Sequence, residues 1–212
     1  IKEVRPRYDW LTCFEPEDHL DALVKNLTQL PGINKSSVFG GYSFKDDSTL
    51  ERLKNYSFHN CWRINPNVDL GISDNCASIE SYQAEFTINK AKQIAKKYGK
   101  ADVFILRHVL EHSHDLDEFI QATKSLIKHD GYIVWEIPDC QQALEAGDCT
   151  TIWEEHTYYF TSFTFQQLLK KYGFSQIHFE SVPYPLENSL IAIVKNSNSE
   201  SRDNPQDDFS VN

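Results

Sequence analysis

The sequence predicts an α/β fold, a mostly parallel sheet flanked by helices and closed by an antiparallel strand pair. Three observations carry this. Short apolar runs alternate with helically spaced segments as far as about residue 138, the pattern of βαβ units in a parallel sheet. The last two apolar runs, Gln176–Ser181 and Leu190–Val194, have no helix between them and so pair antiparallel. Two runs, ending at Leu106 and Ile137, stop abruptly in polar, ionisable residues. Ligands of open α/β sheets sit just outside the carboxyl ends of the strands, so a site belongs there.

Residues 1–33 read as an N-terminal segment, polar and aromatic as far as Phe14 and then one helix over Glu15–Leu30. Leu20, Leu23, Val24, Leu27 and Leu30 recur at helical spacing, behind Pro16 and an acidic first turn, and Pro31-Gly32 stops them. Ser37–Gly41 is a short buried strand running into two glycines, and Ser48–Tyr56 a helix with Leu50 and Leu53 inward. Cys61–Ile64 is a second strand closed by Asn65-Pro66, and Ser78–Phe86 alternates as a third. Thr87 caps a helix through Tyr98, stopped by Gly99.

Val103–Leu106 is the fourth strand, and Asp115 caps the next helix, with Leu116, Phe119, Ile120, Thr123, Leu126 and Ile127 inward. Asp130-Gly131 turns the chain into a fifth strand, Tyr132–Ile137, ended by Pro138. Gln141–Ala146 is a short helix; Phe165–Tyr172 is another, opened by Thr164 and ended by Gly173. The main domain thus spans 34–195, and residues 196–212, almost without apolar side chains, read as a disordered tail.

Composition narrows the function. Hydrophobic residues are 40% and charged residues 25%, which is ordinary for a globular chain, and no apolar stretch approaches the ~18 residues of a membrane span. A net charge of −10 disfavours nucleic acid and anionic membrane surfaces as partners and suits a cationic or zwitterionic small ligand. Five widely spaced cysteines without a Cys-x-x-Cys point to reduced thiols and a cytoplasmic setting. The chain begins with Ile and has no methionine, so it reads as a fragment or a processed sequence.

Four places carry chemistry. Gly40 and Gly41, followed by Tyr42, end the first strand, where glycines let a ligand approach the backbone, although Gly-x-Gly-x-x-Gly is absent and a plain tight turn is the competing reading. Asn65 stands where a ribose-binding carboxylate lies in nucleotide-binding α/β folds; it can bond a ribose hydroxyl or simply form an Asn-Pro turn. Arg107, His108 and His112 follow the fourth strand. His108 and His112 fall at i, i+4, yet a zinc site needs a third protein ligand, so no metal is assigned. His112 is a general base, a donor to substrate, or a buried capping histidine. The sharpest signal is Trp153-Glu154-Glu155-His156, because a carboxylate beside an imidazole fixes its tautomer and raises its basicity, as a proton-abstracting base requires; a surface Glu-His pair is the competing reading. Tyr158 and Tyr159 lie within reach as oxyanion donors.

The stretch from Asp102 through Arg107-His108-Val109-Leu110-Glu111-His112, with Asp130-Gly-Tyr-Ile-Val-Trp-Glu-Ile-Pro-Asp139, resembles the fourth and fifth strands of class I S-adenosylmethionine-dependent methyltransferases. Trp153-Glu-Glu-His-Thr-Tyr-Tyr-Phe-Thr161 is similar to the loop of the sugar C-methyltransferase group, which acts on nucleotide-linked keto-deoxysugars. The resemblance covers about residues 34–195 and is strongest over 101–174. It implies a Rossmann-like sheet of seven strands and S-adenosylmethionine as cofactor, bound at Gly40, Gly41, Tyr42, Asn65, Arg107 and His108. It implies a small-molecule acceptor, a nucleotide sugar. His156 would take the proton next to the keto group, Glu155 would orient it or contact substrate, and His112 would line the acceptor side. Trp153 replaces the tyrosine common in that group, Gly40-Gly41-Tyr42-Ser43-Phe44 matches the cofactor loop poorly, and Asn65 replaces an acid. A clustered-cysteine zinc segment and a further C-terminal domain, both found in relatives, are missing. A fold that binds partners without turnover is the alternative those departures favour.

Overall fold

The computed structural model describes residues 17–73, 83–149, 156–183 and 188–196. They form helices α1 (His19–Thr28), α2 (Asp47–Asn55), α3 (Pro66–Leu70), α4 (Ile88–Tyr98), α5 (Leu116–Leu126), α6 (Gln141–Ala146) and α7 (Ser162–Lys171). The strands are β1 (Phe39–Gly41), β2 (Cys61–Arg63), β3 (Ala101–Arg107), β4 (Ile127–Asp139), β5 (Phe174–Val182) and β6 (Asn188–Asn196). They join in the order β2-β1-β3-β4-β6-β5, with β6 antiparallel to both its neighbours and the other pairings parallel.

Side chains alternate across the sheet, so each strand feeds two cores. Val103 and Ile105 of β3, Tyr132 and Val134 of β4, and Ile191 and Ile193 of β6 meet the inward faces of α1 and α2. Phe104, Leu106, Ile133, Trp135, Ile137, Ala192 and Val194 point the other way, onto α4, α5 and α7. Helix α1 is therefore part of a three-layer sandwich, since Leu20, Leu23, Val24 and Leu27 are fully buried in the first core. No helix among the described residues is long and apolar enough to cross a membrane.

Some expected boundaries move for local reasons. The third strand, Ser78–Phe86, is not seen: residues 78–82 lie outside the described residues, and 83–85 form a helical turn, so six strands are described where seven were expected. The turn at Asp130-Gly131 is a bulge inside β4, because Ala101 pairs Ile127 while Val103 already pairs Tyr132. A Cβ on Gly131 would lie 3.1–3.2 Å from the backbone of Lys128 and Asp102, which is why glycine stands there. Pro138 does not end β4. Pairing with β3 stops at Arg107–Glu136, so the side facing β3 is already an edge at Pro138, while pairing with β6 runs on to Asp139. Helix α7 starts earlier than its apolar spacing suggests, because Thr161 and Thr164 cap each other reciprocally. The expected tail lies outside the described residues beyond Asn196.

Candidate active site at the carboxyl edge of the sheet

The chain leaves β3 through His108, whose φ of 51° is in the left-handed region that non-glycine residues seldom adopt. Its N–H donates to the Glu136 carbonyl (2.7 Å), which fixes the turn against β4. A short 3-10 turn, Leu110–His112, follows. His108 and His112 therefore do not share a helix face. One carbonyl organises the edge: Glu111 O accepts from Thr157 N (2.8 Å), Tyr158 N (3.0 Å) and Thr157 Oγ1 (3.0 Å). Thr157 Oγ1 also lies 2.7 Å from Ser113 O, and Cys140 N donates to Phe160 O (2.8 Å). These bonds stitch residues 157–160 to the ends of both β3 and β4.

The stitching brings His156 against His112, ring centroids 4.5 Å apart and nearly perpendicular. The Tyr159 ring is 6.0 Å from His156. Glu111, 1% exposed, lies beneath them. Single ligand atoms of Glu111, His112 and His156 all fall within 4.8 Å of one another. Glu111 Oε1 is 3.8 Å from His108 Nδ1 and 4.0 Å from His112 Nε2, whereas Glu111 Oε2 is buried with no hydrogen-bond partner among the described residues. Burial pushes the Glu111 carboxyl up against the pull of His112, His108 and Lys45. Burial, helped by the electrostatic influence of His112, Lys45 and His108, pushes the His156 imidazole down to about 3, so it stays neutral near pH 7. Glu155 and Trp153 lie outside the described residues.

A second charged cluster lies under the first. Arg107 and Glu136 are 1% and 0% exposed and meet at 2.6 Å through Nε and Oε2. Arg107 Nη1 also donates to Lys45 O (2.6 Å). Glu136 Oε1 has His19 Nε2 at 3.1 Å, His108 Nε2 at 3.3 Å and Ser189 Oγ at 3.3 Å. Burial would raise the Glu136 carboxyl, but His108, His19 and Arg107 outweigh it and hold it well below the usual carboxylate range. Asp46, fully buried, accepts from Tyr42 N, Ser43 N and Arg107 N at 2.7–3.0 Å, tying the end of β1 to the end of β3. Burial still pushes that carboxyl up to about 7.

The residues expected to hold a cofactor are engaged by the fold. A Cβ on Gly40 would lie 2.6 Å from the Phe104 ring and 2.8 Å from the Trp62 ring, so packing between β1, β2 and β3 requires that glycine. A Cβ on Gly41 would press at 3.1 Å on Asp46 and Leu50. Tyr42 is buried edge-on against Phe86 and Phe119, centroids 5.1 and 5.6 Å away. Asn65 caps α3, its Oδ1 accepting from Val68 N at 3.0 Å. One atom the sequence did not mark also suits a nitrogen-rich cofactor. Gln83 Nε2 donates to Val109 O (2.7 Å), which leaves Oε1 buried at the same edge without a partner among the described residues. An acceptor so placed suits the amino groups that S-adenosylmethionine carries. Lys45 was missed as well; it follows β1 on a 3-10 turn that no apolar spacing signals, and its charge acts on both Glu111 and His156.

A family model described as "Methyltransferase domain" matches residues 49–178, more than half of the chain. The C-methyltransferase NovU of Streptomyces niveus is 26% identical over 110 residues, covering 52% of this chain and 26% of that protein. The chain thus matches about a quarter of that curated relative's length. Among solved structures, a 1,6-didemethyltoxoflavin-N1-methyltransferase of Burkholderia thailandensis, crystallised with 1,6-didemethyltoxoflavin and S-adenosylhomocysteine, superposes with a TM-score of 0.55 at 11% identity. That likeness covers 85% of this chain and 77% of the other. YcgJ of Bacillus subtilis superposes at 0.52 with 8% identity, covering 84% and 98%. At these identities the solved structures show the fold.

Proposed function

This chain belongs to the methyltransferase-domain family, class I enzymes that use S-adenosylmethionine, and we propose that it methylates carbon in a small acceptor, a nucleotide-linked keto-sugar, with His156 as general base. One observation carries the reading. His156 is held against His112 at the carboxyl edge, ring centroids 4.5 Å apart, with the Tyr159 ring 6.0 Å away, so an imidazole and two candidate donors converge where the acceptor would lie. The partial match to a C-methyltransferase supports the choice of carbon.

When bound, S-adenosylmethionine supplies an electrophilic methyl group. Gln83 Oε1 would accept from one of its amino groups, and Gly40, Gly41, Tyr42, Asn65, Arg107 and His108 would hold the rest of it at the carboxyl edge. His156 accepts the proton from the carbon next to the keto group at an imidazole nitrogen. His112 and Tyr159 donate to the oxygen that gains negative charge, a task for preorganised donors. By the resemblance Glu155 would orient His156 or contact substrate, and the charge of Lys45, which acts on this edge, would favour an anionic acceptor.

Proton abstraction is tested apart from methyl transfer. The full chain, incubated with nucleotide-linked keto-sugars in D2O without cofactor, is expected to wash deuterium into the carbon beside the keto group. Adding methyl-labelled S-adenosylmethionine then moves label to that carbon. Exchange that persists in His156→Ala removes His156 from the mechanism, and label on nitrogen or oxygen removes carbon as the acceptor atom.

A further inference from the structure

We infer that Glu111, His112 and His156 form a binding site for a divalent first-row metal ion of the zinc class. Two observations meet here. Ligand atoms of the three side chains already lie within 4.8 Å of one another, with Glu111 Oε1 and His112 Nε2 4.0 Å apart. A tetrahedral zinc with nitrogen ligands at ~2.0–2.1 Å needs ligand atoms about 3.4 Å apart, so small side-chain rotations close the site. Independently, Glu111 Oε2 is buried with no hydrogen-bond partner among the described residues, an acceptor atom whose lost hydration no hydrogen bond replaces there.

The chemistry of the donors selects the ion. Two imidazoles and one carboxylate suit zinc, iron, nickel or copper, and are too few in oxygen for calcium or magnesium. Three protein ligands leave one position open, as in catalytic rather than structural zinc sites. Of the two histidines paired in the sequence only His112 belongs to the set, which Glu111 and, from another loop, His156 complete. His108 is instead drawn to Glu136.

The consequence rests on the proposed role of His156. A nitrogen that coordinates the ion cannot accept a proton, so loading the site suppresses methyl transfer, and a chelator restores it.

Binding is read first, without cofactor or acceptor. The full chain, titrated with zinc against a chromogenic chelator, is expected to bind at the micromolar level or tighter. Glu111→Gln, His112→Ala and His156→Ala are each expected to weaken binding at least tenfold. Cobalt should give a visible absorption band that His156→Gln abolishes, while circular dichroism shows each variant folded. Zinc bound equally by wild type and the His112→Ala/His156→Ala double variant would overturn the site, as would a cobalt spectrum indifferent to His156→Gln. Zinc binding as described, with no proton exchange in metal-free protein, keeps the site and removes the proposed function. Undiminished turnover under saturating zinc overturns the coupling.

Discussion

Two buried carboxylates touch the same imidazole and do opposite things. His108 has Glu136 Oε1 3.3 Å from its Nε2 and Glu111 Oε1 3.8 Å from its Nδ1. Glu136 is surrounded by Arg107, His19, His108 and Ser189, and its acidity is held well below normal. Glu111 keeps one oxygen without a hydrogen-bond partner among the described residues, and burial moves its acidity the other way. A buried charge that is paired and fully hydrogen-bonded belongs to the scaffold; one left partly unanswered in a fold points to a ligand. The lower cluster therefore holds β1, β3, β4 and α1 together, and the upper one faces the chemistry.

Breaking the lower cluster should cost most. Glu136→Gln strands Arg107 in the interior, so urea unfolding is expected to show a loss of about 3–5 kcal/mol. A loss under ~1 kcal/mol would abolish the distinction between the clusters. In the upper cluster, His156→Ala should leave stability nearly unchanged and cut turnover by a factor on the order of 10²–10⁴ in a steady-state assay.

The acid response separates the lower cluster's own members. Asp46 has its carboxyl pushed up to about 7 from 3.8. Between those values the folded chain keeps a proton that the unfolded chain has released, so this group's contribution to stability falls as pH rises from about 4 to about 7. Glu136, held below 4.5, acts with the opposite sign. Its contribution is present above 4.5 and is lost as pH falls toward its lower folded value. Urea melts across pH should lose the first slope in Asp46→Asn and the second in Glu136→Gln. The smallest effect sharpens the comparison most. Glu111→Gln removes an ill-compensated buried charge, so its stability is expected to match wild type or exceed it by about 1 kcal/mol. A loss the size of that at Glu136 would make Glu111 scaffold too.

Much of the scaffold was legible from residue order. Strands β3, β4 and β6 follow from apolar runs, α1, α4 and α5 from helical spacing, and the caps at Thr87 and Asp115 hold as read. The site was legible in part. His112 and His156 were marked for their chemistry, but Glu111, Lys45 and Gln83 were not, since nothing in their spacing separates a buried acceptor from a solvated one. Gly40 and Asn65 drew a cofactor reading from the sequence, and the structure gives them ring packing and a helix cap as well.

By itself, then, the sequence determined which faces of which segments are apolar, and hence the elements and the end of the sheet where ionisable groups collect. Only the tertiary structure decided which groups meet. Periodicity reports how each side chain faces its own element, while contact between His112 and His156 depends on a loop path set by hydrogen bonds to the Glu111 carbonyl, and such contacts have no period.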